Sequence, residues 1–440
     1  MDSTQTIIEK ALQNIKISEL NKMQQSALAN IQKEANVILL APTGSGKTLA
    51  FLMPMLEMLQ PDQTGVQALI LSPSRELALQ IEQVFKSMST GFKVNCCYGG
   101  HDINVEKNNL SQPPAVLIGT PGRIGDHLRS GRIETGSISM IVLDEYDKCL
   151  EYGFKDELSY VIERLPNITK RVLTSATKAT ANYKNTGMAD PVTLNFLSKT
   201  PPKNLKVKIV ETTDNNKLES LFRLVCKLGN HPTLIFCDKR ETVQQISDLL
   251  WEQDLANNVF HGGLEQDLRE RTLIKFRNGS HHILVTTDLA SRGLDIPEIE
   301  YVIHYDMPEN ETVFTHRSGR TARMHASGTT FLFTYPNSSL PEFIKEKPDV
   351  EKIPAKYSMP EKTKWETLYI SAGKKEKISK GDIAGLLMQK GLLNKDEVGL
   401  IDILDHVSYV AVKRDKINKV MKLIQNSPLK KQKVKIEVAR

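Results

Sequence analysis

Ala41-Pro-Thr-Gly-Ser-Gly-Lys-Thr48 follows an apolar run at residues 37–40 and opens a stretch with helical periodicity. A glycine-bearing turn between a strand and a helix lets backbone N–H groups close on phosphate oxygens at the positive end of the helix. In that frame Thr43, Gly44, Ser45 and Gly46 form the cradle, Lys47 reaches the β and γ oxygens, and the Thr48 hydroxyl is a ligand for magnesium. About a hundred residues on, Ile141-Val-Leu-Asp-Glu-Tyr-Asp147 places acids at the end of another apolar run. Asp144 is suited to hold a magnesium ion through water, and Glu145 to orient or deprotonate an attacking water. The acids alone could be a solvated turn after a strand; with the phosphate loop upstream, the two in this order point to a bound nucleoside triphosphate.

Outward from these motifs, Val-, Ile- and Leu-rich runs recur at 37–40, 68–71, 116–118, 140–143 and 171–173, with helical stretches between them. Near-continuous apolar strands alternating with helices predict a parallel sheet covered on both faces. A second series starts near Lys206 and continues at 234–236, 282–286, 301–304 and 329–333. Ser198-Lys-Thr-Pro-Pro-Lys-Asn204 separates the two series, since paired prolines suit neither helix nor sheet. A second proline-spaced stretch, 337–363, is predicted to be a tether with little structure of its own. Beyond it the order is strand, helix, strand, strand, helix, strand, that of ferredoxin-like folds and RNA-recognition modules. The expected fold class is therefore α/β: two tandem parallel-sheet domains, at 1–200 and 205–336, followed at 364–440 by a small ferredoxin-like α+β domain.

With 40% hydrophobic and 25% charged residues, the composition is that of an ordinary globular protein. The net charge of +6 is unevenly spread. From Lys364 onward there are seventeen Lys and Arg against nine Asp and Glu, a net of +8, which leaves 41 cationic against 43 acidic residues before it. A cationic module on a near-neutral body suits a polyanionic partner, because neutralised phosphates release counterions. Five scattered cysteines make neither a zinc pattern nor a disulfide framework, and no apolar run is long enough to span a bilayer. A reducing, cytoplasmic setting is the expectation.

Taken together, these motifs resemble those of the DEAD-box helicases of superfamily 2, over residues from about Leu12 to Phe333. The superfamily writes its phosphate loop with Ala at the first position, as at Ala41, and both parallel-sheet domains would then be RecA-like. Asp144-Glu145-Tyr146-Asp147 stands where the family has its name motif, with Tyr146 in place of the usual Ala. The resemblance implies that Ser175 and Thr177, in Ser175-Ala-Thr177, couple hydrolysis to RNA together with Asp147 and His316. His316-Arg-Ser-Gly-Arg-Thr-Ala-Arg323 is similar to the arginine-rich motif, in which Arg320 and Arg323 would neutralise charge on the γ-phosphate. Asp295, in Thr287-Asp-Leu-Ala-Ser-Arg-Gly-Leu-Asp295, would contact the ribose. Gln24 stands where the family reads adenine, although the usual Thr-Pro before it is Asn21-Lys22 and the upstream stacking aromatic is replaced, at nearest, by Ile7. The implied RNA contacts are Pro73, Arg75, Gly100, Thr120, Pro121 and Arg123 in the first domain, and Gln266, Arg269 and Thr287 in the second. Contacts of this kind, confined to phosphate and 2′-OH, hold RNA without reading its sequence.

Leu368-Tyr-Ile-Ser-Ala-Gly-Lys-Lys375, Gly381-Asp-Ile-Ala-Gly385 and Ser408-Tyr-Val-Ala-Val-Lys413 look like the C-terminal domain of DbpA-type helicases. The resemblance implies recognition of a structured element of ribosomal RNA during large-subunit assembly. Tyr369 and Tyr409 are the sheet aromatics available to stack on bases, with basic loops or helix ends as the other route to RNA. The leading expectation is an ATP- and magnesium-dependent RNA helicase. The alternative is a nucleotide-gated RNA clamp with weak hydrolysis, favoured by Tyr146 and the altered surroundings of Gln24; a DNA helicase is disfavoured by the motif set.

Overall fold

Sequential apolar strands joined by helices can lie side by side only in a parallel sheet, and two such sheets form. The computed structural model describes the chain apart from residues 1, 43, 101–102, 178–182, 184, 198–203, 213–215, 292–298, 322–326, 337, 345–346, 431 and 440. The first prolyl linker thus lies, but for Asn204, outside the described residues. The chain divides into two compact units, the first holding one sheet and the second holding two.

In the first unit the strands are β1 (Asn36–Leu40), β2 (Ala68–Leu71), β3 (Val94–Cys97), β4 (Val116–Gly119), β5 (Met140–Leu143), β6 (Lys170–Ser175) and β7 (Val192–Asn195). They pair in parallel in the order β3-β4-β2-β5-β6-β1-β7. Alternate residues of one strand enter different cores: Val37 and Leu39 join one apolar cluster, Ile38 and Leu40 another. That division is why β1 reads as an unbroken apolar run, since helices cover both faces of the sheet.

The second unit repeats the plan with β8 (Leu205–Glu211), β9 (Thr233–Phe236), β10 (Asn257–Phe260), β11 (Ile283–Thr286), β12 (Tyr301–His304), β13 (Gly328–Thr334) and β14 (Asp349–Val350). All seven are parallel, in the order β10-β11-β9-β12-β13-β8-β14. The described residues of the segment read as a tether supply β14 and are otherwise irregular, yet several of them are packed down. Ile353 sits against the core of this domain, Phe343 stacks near Phe314 with ring centroids 5.8 Å apart, and Tyr357 meets Phe222 edge-on at 5.0 Å. Glu351 accepts hydrogen bonds from Lys208, at 2.6 Å, and from Lys227.

The last sheet is antiparallel: β15 (Trp365–Ile370), β16 (Val398–Ile403), β17 (Ser408–Lys413) and β18 (Ile436–Val438), ordered β16-β17-β15-β18. One face packs Leu368, Ile370, Val410 and Val412 against helices Lys380–Gly385 and Ile417–Ile424. The other face, which carries Tyr369 and Tyr409, is covered from within the unit by helix Gln266–Arg277 and the turn after it. Tyr409 is buried with Ile274 and Ala439, and Tyr369 packs beside them. Polar contacts seal the junction: Asn278 Nδ2 donates to Thr367 Oγ1 at 2.8 Å, Ser280 and Thr367 share a hydroxyl pair at 2.7 Å, and Arg277 reaches Asp402 at 2.6 Å. All of Asn278, Ser280 and Thr367 are buried, so each bond replaces water that the groups have lost.

Candidate functional site: nucleotide loop and RNA track

A strand's C-terminal end is where a parallel sheet presents its loops, and the first unit sorts its motifs along that edge by strand position. The expected phosphate loop follows β1, the acids follow β5 and Ser175 ends β6, three neighbours in the sheet; the motifs expected to contact RNA follow β2, β3 and β4 on the other half.

Lys47 opens helix Lys47–Met58 behind Gly46, whose φ of 87° is left-handed. The buried ammonium of Lys47 donates to the loop carbonyls of Ala41 at 2.9 Å and Pro42 at 3.0 Å. Gln24 is brought to the same loop: its Nε2 donates to Gly46 O at 3.2 Å, and a Cβ at Gly46 would stand 2.5 Å from that nitrogen. Asn21 explains how the family's Thr-Pro can be absent. It caps helix Lys22–Lys33 in a reciprocal box with Gln24, and its Nδ2 donates to Ser45 O at 3.2 Å. Gly44 and Thr48 are half-open or open to solvent at the loop, whereas Thr43 lies outside the described residues.

Asp144 is 3% exposed, and burial holds its carboxyl above the usual range, opposed by the Thr174 hydroxyl and Lys47. Thr174 Oγ1 donates to Asp144 Oδ1 at 2.6 Å and accepts from the Glu145 amide at 3.1 Å. Glu145 itself has φ 45°, an uncommon conformation for a residue with a Cβ, at the entry to helix Tyr146–Glu151. Thr174 escaped sequence reading because nothing marks a threonine inside a strand; its place opposite Asp144 arises only when β5 and β6 pair. Asp147 Oδ2 accepts from Thr177 Oγ1 at 3.1 Å, while Ser175 Oγ donates to Thr177 O at 2.8 Å and accepts from its amide at 3.0 Å. The other buried oxygen of Asp147, Oδ1, has no hydrogen-bond partner among the described residues. Tyr146, at 2% exposure, turns away from these acids into the apolar cluster that also holds Cys149, Leu143 and Leu173.

On the half that carries the expected RNA contacts, helix Arg75–Ser87 follows Pro73 and is capped by Ser74, which accepts from Leu77 N at 3.3 Å. The Arg75 guanidinium lies so close over Gly100, at φ 82°, that a Cβ there would collide with it. Thr120 precedes helix Pro121–Arg129 and makes no side-chain cap, so its hydroxyl is not committed to the helix end. A buried carboxylate, Glu106, ties these loops together. It accepts from the Tyr98 amide at 3.0 Å, from Arg123 Nε at 3.0 Å and from His127 Nε2 at 2.6 Å, while Arg123 also donates to Tyr98 O at 3.2 Å. Glu106 and His127 were not anticipated from the sequence. Cys97 completes a close trio with them, but burial pushes its thiol up to about 12, so it stays protonated beside a carboxylate already bound by two cationic or ring donors.

In the second unit Gln266 opens its helix, Arg269 is buried on the next turn and Thr287 follows β11. His316 and Arg320 are both buried at the end of helix Glu311–Ser318 and just beyond it. Arg317 between them is held by Asp288 at 2.6 Å, Asp238 at 2.8 Å and the Asp306 carbonyl at 3.1 Å, a brace that fixes the turn. Asp295 and Arg323 lie outside the described residues. No helix among the described residues is long and apolar enough to cross a membrane.

A phosphate loop and acid-tipped strand in one RecA-like sheet, with an arginine-bearing second sheet after it, define a nucleotide-driven helicase. Residues 21–186 match the DEAD/DEAH box helicase family, 216–325 the helicase conserved C-terminal domain, and 367–438 the DbpA RNA binding domain. The chain is similar to the ATP-dependent RNA helicases DbpA of Escherichia coli (31% identical, covering 93% of this chain and 92% of that one) and Bacillus subtilis (29%, 98% and 97%). Among solved structures it resembles Saccharomyces cerevisiae Dbp5 bound to RNA and ADP BeF3, with a TM-score of 0.67 and 28% identity over 75% of this chain and 88% of that one. The chain belongs to the DbpA-type DEAD-box ATP-dependent RNA helicases. It binds RNA and hydrolyses ATP in an RNA-stimulated manner.

Proposed function

We propose that this helicase remodels structured ribosomal RNA during assembly of the large ribosomal subunit, in the cytoplasm, with residues 1–200 and 205–336 as motor, 337–363 as connector and 364–440 as the RNA reader. The observation that carries the reading is the covered sheet face of the module. With Tyr369 and Tyr409 packed on helix Gln266–Arg277, the net charge of +8 must meet RNA elsewhere. Lys374, Lys375, Lys377 and Lys380 are exposed on one loop and helix start, a footprint for the phosphates of a folded RNA element rather than for splayed bases.

In the motor, Thr43, Gly44, Ser45 and Gly46 would cradle the phosphates, Lys47 would leave its loop carbonyls for the β and γ oxygens, and Gln24 would meet adenine from its seat on the loop. Thr48 and Asp144 suit magnesium, since a buried carboxylate held above its ordinary range lacks the positive charge that a divalent cation brings. That ion would supply charge neutralisation for the departing phosphate. Glu145 would orient the attacking water, and Arg320 and Arg323 would come from the second domain to the γ-phosphate, with Asp295 at the ribose. His316 would complete the open oxygen of Asp147, linking domain closure to the Asp147–Thr177 pair. Pro73, Arg75, Gly100, Thr120, Pro121, Arg123, Gln266, Arg269 and Thr287 would grip one RNA strand by its backbone in the closed state.

The test compares ATPase and binding with ribosomal RNA and unrelated structured RNA, for the wild type and for Lys374→Glu/Lys375→Glu/Lys377→Glu. Selective loss of the ribosomal preference, with a shallower dependence of binding on salt, supports the reading. Equal stimulation by both RNAs in the wild type overturns it.

A further inference from the structure

The junction between helix Gln266–Arg277 and the C-terminal module borders an open cleft of about 680 Å³, inside the second unit and separate from the nucleotide and RNA-contact residues named above. Pockets of this size take drug- or nucleotide-sized ligands. Arg271, Thr272 and Lys275 line it from one face of that helix, Trp251 and His281 from the neighbouring elements, and Arg414 from the module.

Its lining carries four cations, Arg271, Lys275, Lys362 and Arg414, against four acids, but they are unevenly placed. Lys275 is 5% exposed, and its hydrogen bond goes to a carbonyl, that of Ala439, at 2.9 Å. Arg271 makes no hydrogen bond or ion pair with a described residue. The acids of the lining are committed or peripheral: Glu366 is paired with Arg414, Asp254 with Lys362 at 3.2 Å, Asp248 is exposed and accepts from Gln244 at 2.7 Å, and Glu361 is exposed. Burial lowers the Lys275 ammonium to about 8, opposed by the Glu366 carboxylate and reinforced by Arg271 and Arg414. Three cations, Lys275, Arg271 and Arg414, thus face one carboxylate, Glu366, which leaves room for an added anion. At the same cleft Trp251 is half exposed, its ring edge-on to that of His281 with centroids 5.8 Å apart, and burial keeps His281 neutral.

We propose that this cleft binds a nucleotide, its phosphate on Lys275, Arg271 and the Thr272 hydroxyl and its base against Trp251. The site is distinct from the phosphate loop, which lies in the other unit. Because its walls come from both the helix and the module, an occupant tightens the docking of the RNA reader. The nucleotide is either free or the phosphorylated end of an RNA strand, two sources with one chemistry.

Uridine 5′-monophosphate, inorganic phosphate, uridine and a 5′-phosphorylated tetrauridylate serve as probes, titrated into the full chain by calorimetry and tryptophan fluorescence. We expect the monophosphate to bind more tightly than phosphate, and uridine least. Arg271→Gln and Lys275→Met should each weaken it at least about tenfold, and Trp251→Leu should weaken the monophosphate but not phosphate. Binding should persist in Lys47→Ala. Arg271 is only half-buried, so its substitution remains informative if Lys275→Met fails to fold. Tetrauridylate binding lost in Arg271→Gln, without monophosphate binding, supports the site with RNA as the source. Absence of binding by every probe, or monophosphate binding lost in Lys47→Ala and kept in Arg271→Gln, overturns the proposal.

Discussion

The Thr174 hydroxyl stands between the Asp144 carboxylate and the Glu145 amide, donating to the first at 2.6 Å and accepting from the second at 3.1 Å. One side chain on β6 thereby fixes both acids at the end of β5, including the left-handed backbone of Glu145. Thr174→Val keeps the shape and removes both bonds. We expect turnover of RNA-stimulated ATP hydrolysis to fall at least tenfold, about 1.4 kcal/mol in barrier, with KM for ATP little changed. Thr174→Ser should restore it; equal kcat in Val and wild type would show that Thr174 only fills space.

Lys47→Ala and Glu145→Gln should part company. The first removes the cation aimed at the phosphates and should weaken ATP binding, seen as a raised KM. The second leaves binding intact and should accumulate an ATP–RNA complex that does not turn over, because its water is no longer activated. Wild-type turnover in Glu145→Gln would remove that residue from the chemistry.

Tyr146 occupies the position of a family alanine, but its phenol lies in the core behind the acids. Tyr146→Ala should therefore act on folding more than on catalysis. The expected loss is roughly 3 kcal/mol of stability from the cavity, measured by urea unfolding, with ATPase of the folded fraction within about tenfold of wild type. A large change in ATPase at unchanged stability would contradict this.

The apolar strands were legible because burial on both faces leaves no room for polar residues; Val37 to Leu40 and Ile141 to Leu143 could hardly be read otherwise. Strands β3 (Val-Asn-Cys-Cys) and β10 (Asn-Asn-Val-Phe) were not, since each is the edge of its sheet and its apolar run is broken by asparagine: Asn95 and Asn258 are part-exposed, while Asn257 is buried on hydrogen bonds to Ser247 and Leu255. The phosphate loop and acids were legible as contiguous motifs. Thr174, Glu106 and His127 were not, because their meaning comes from partners 21 to 30 residues away that only strand pairing brings close. The covering of Tyr369 and Tyr409 had no signal in either partner segment alone.

Stability should fall in mild acid. Burial pushes His281 down to about 3, with Lys275 and Arg414 adding to it, and lowers His282 and His304 as well, the last also through Arg317. Below about pH 6.5 the unfolded chain takes up protons at these rings that the folded protein refuses, so stability is lost as pH falls, approaching about 1.4 kcal/mol per pH unit for each of His281 and His304. Urea melts of the wild type between pH 7 and 5 should show that slope, and His281→Asn, which can still donate to the Asn257 carbonyl, should be shallower. An identical slope in both would rule His281 out as a contributor.

Docking of the module should depend on its covered face. Ile274→Asp places a charge against Tyr409 and Ala439, and should release the module without unfolding either sheet core. Hydrogen exchange would then quicken at β15 and β17 and at helix Gln266–Arg277 together, while the first unit keeps its protection. Unchanged exchange across all three would show that the junction tolerates the charge.

Because the described part of the connector is packed along the second domain and the module is seated on one of that domain's helices, the described contacts leave little slack between them. Torque would pass through such a lever with little loss. An RNA element held, as proposed, on the outward lysines would therefore move with the second domain, and the length of that arm would set how far from the anchor a duplex feels the pull.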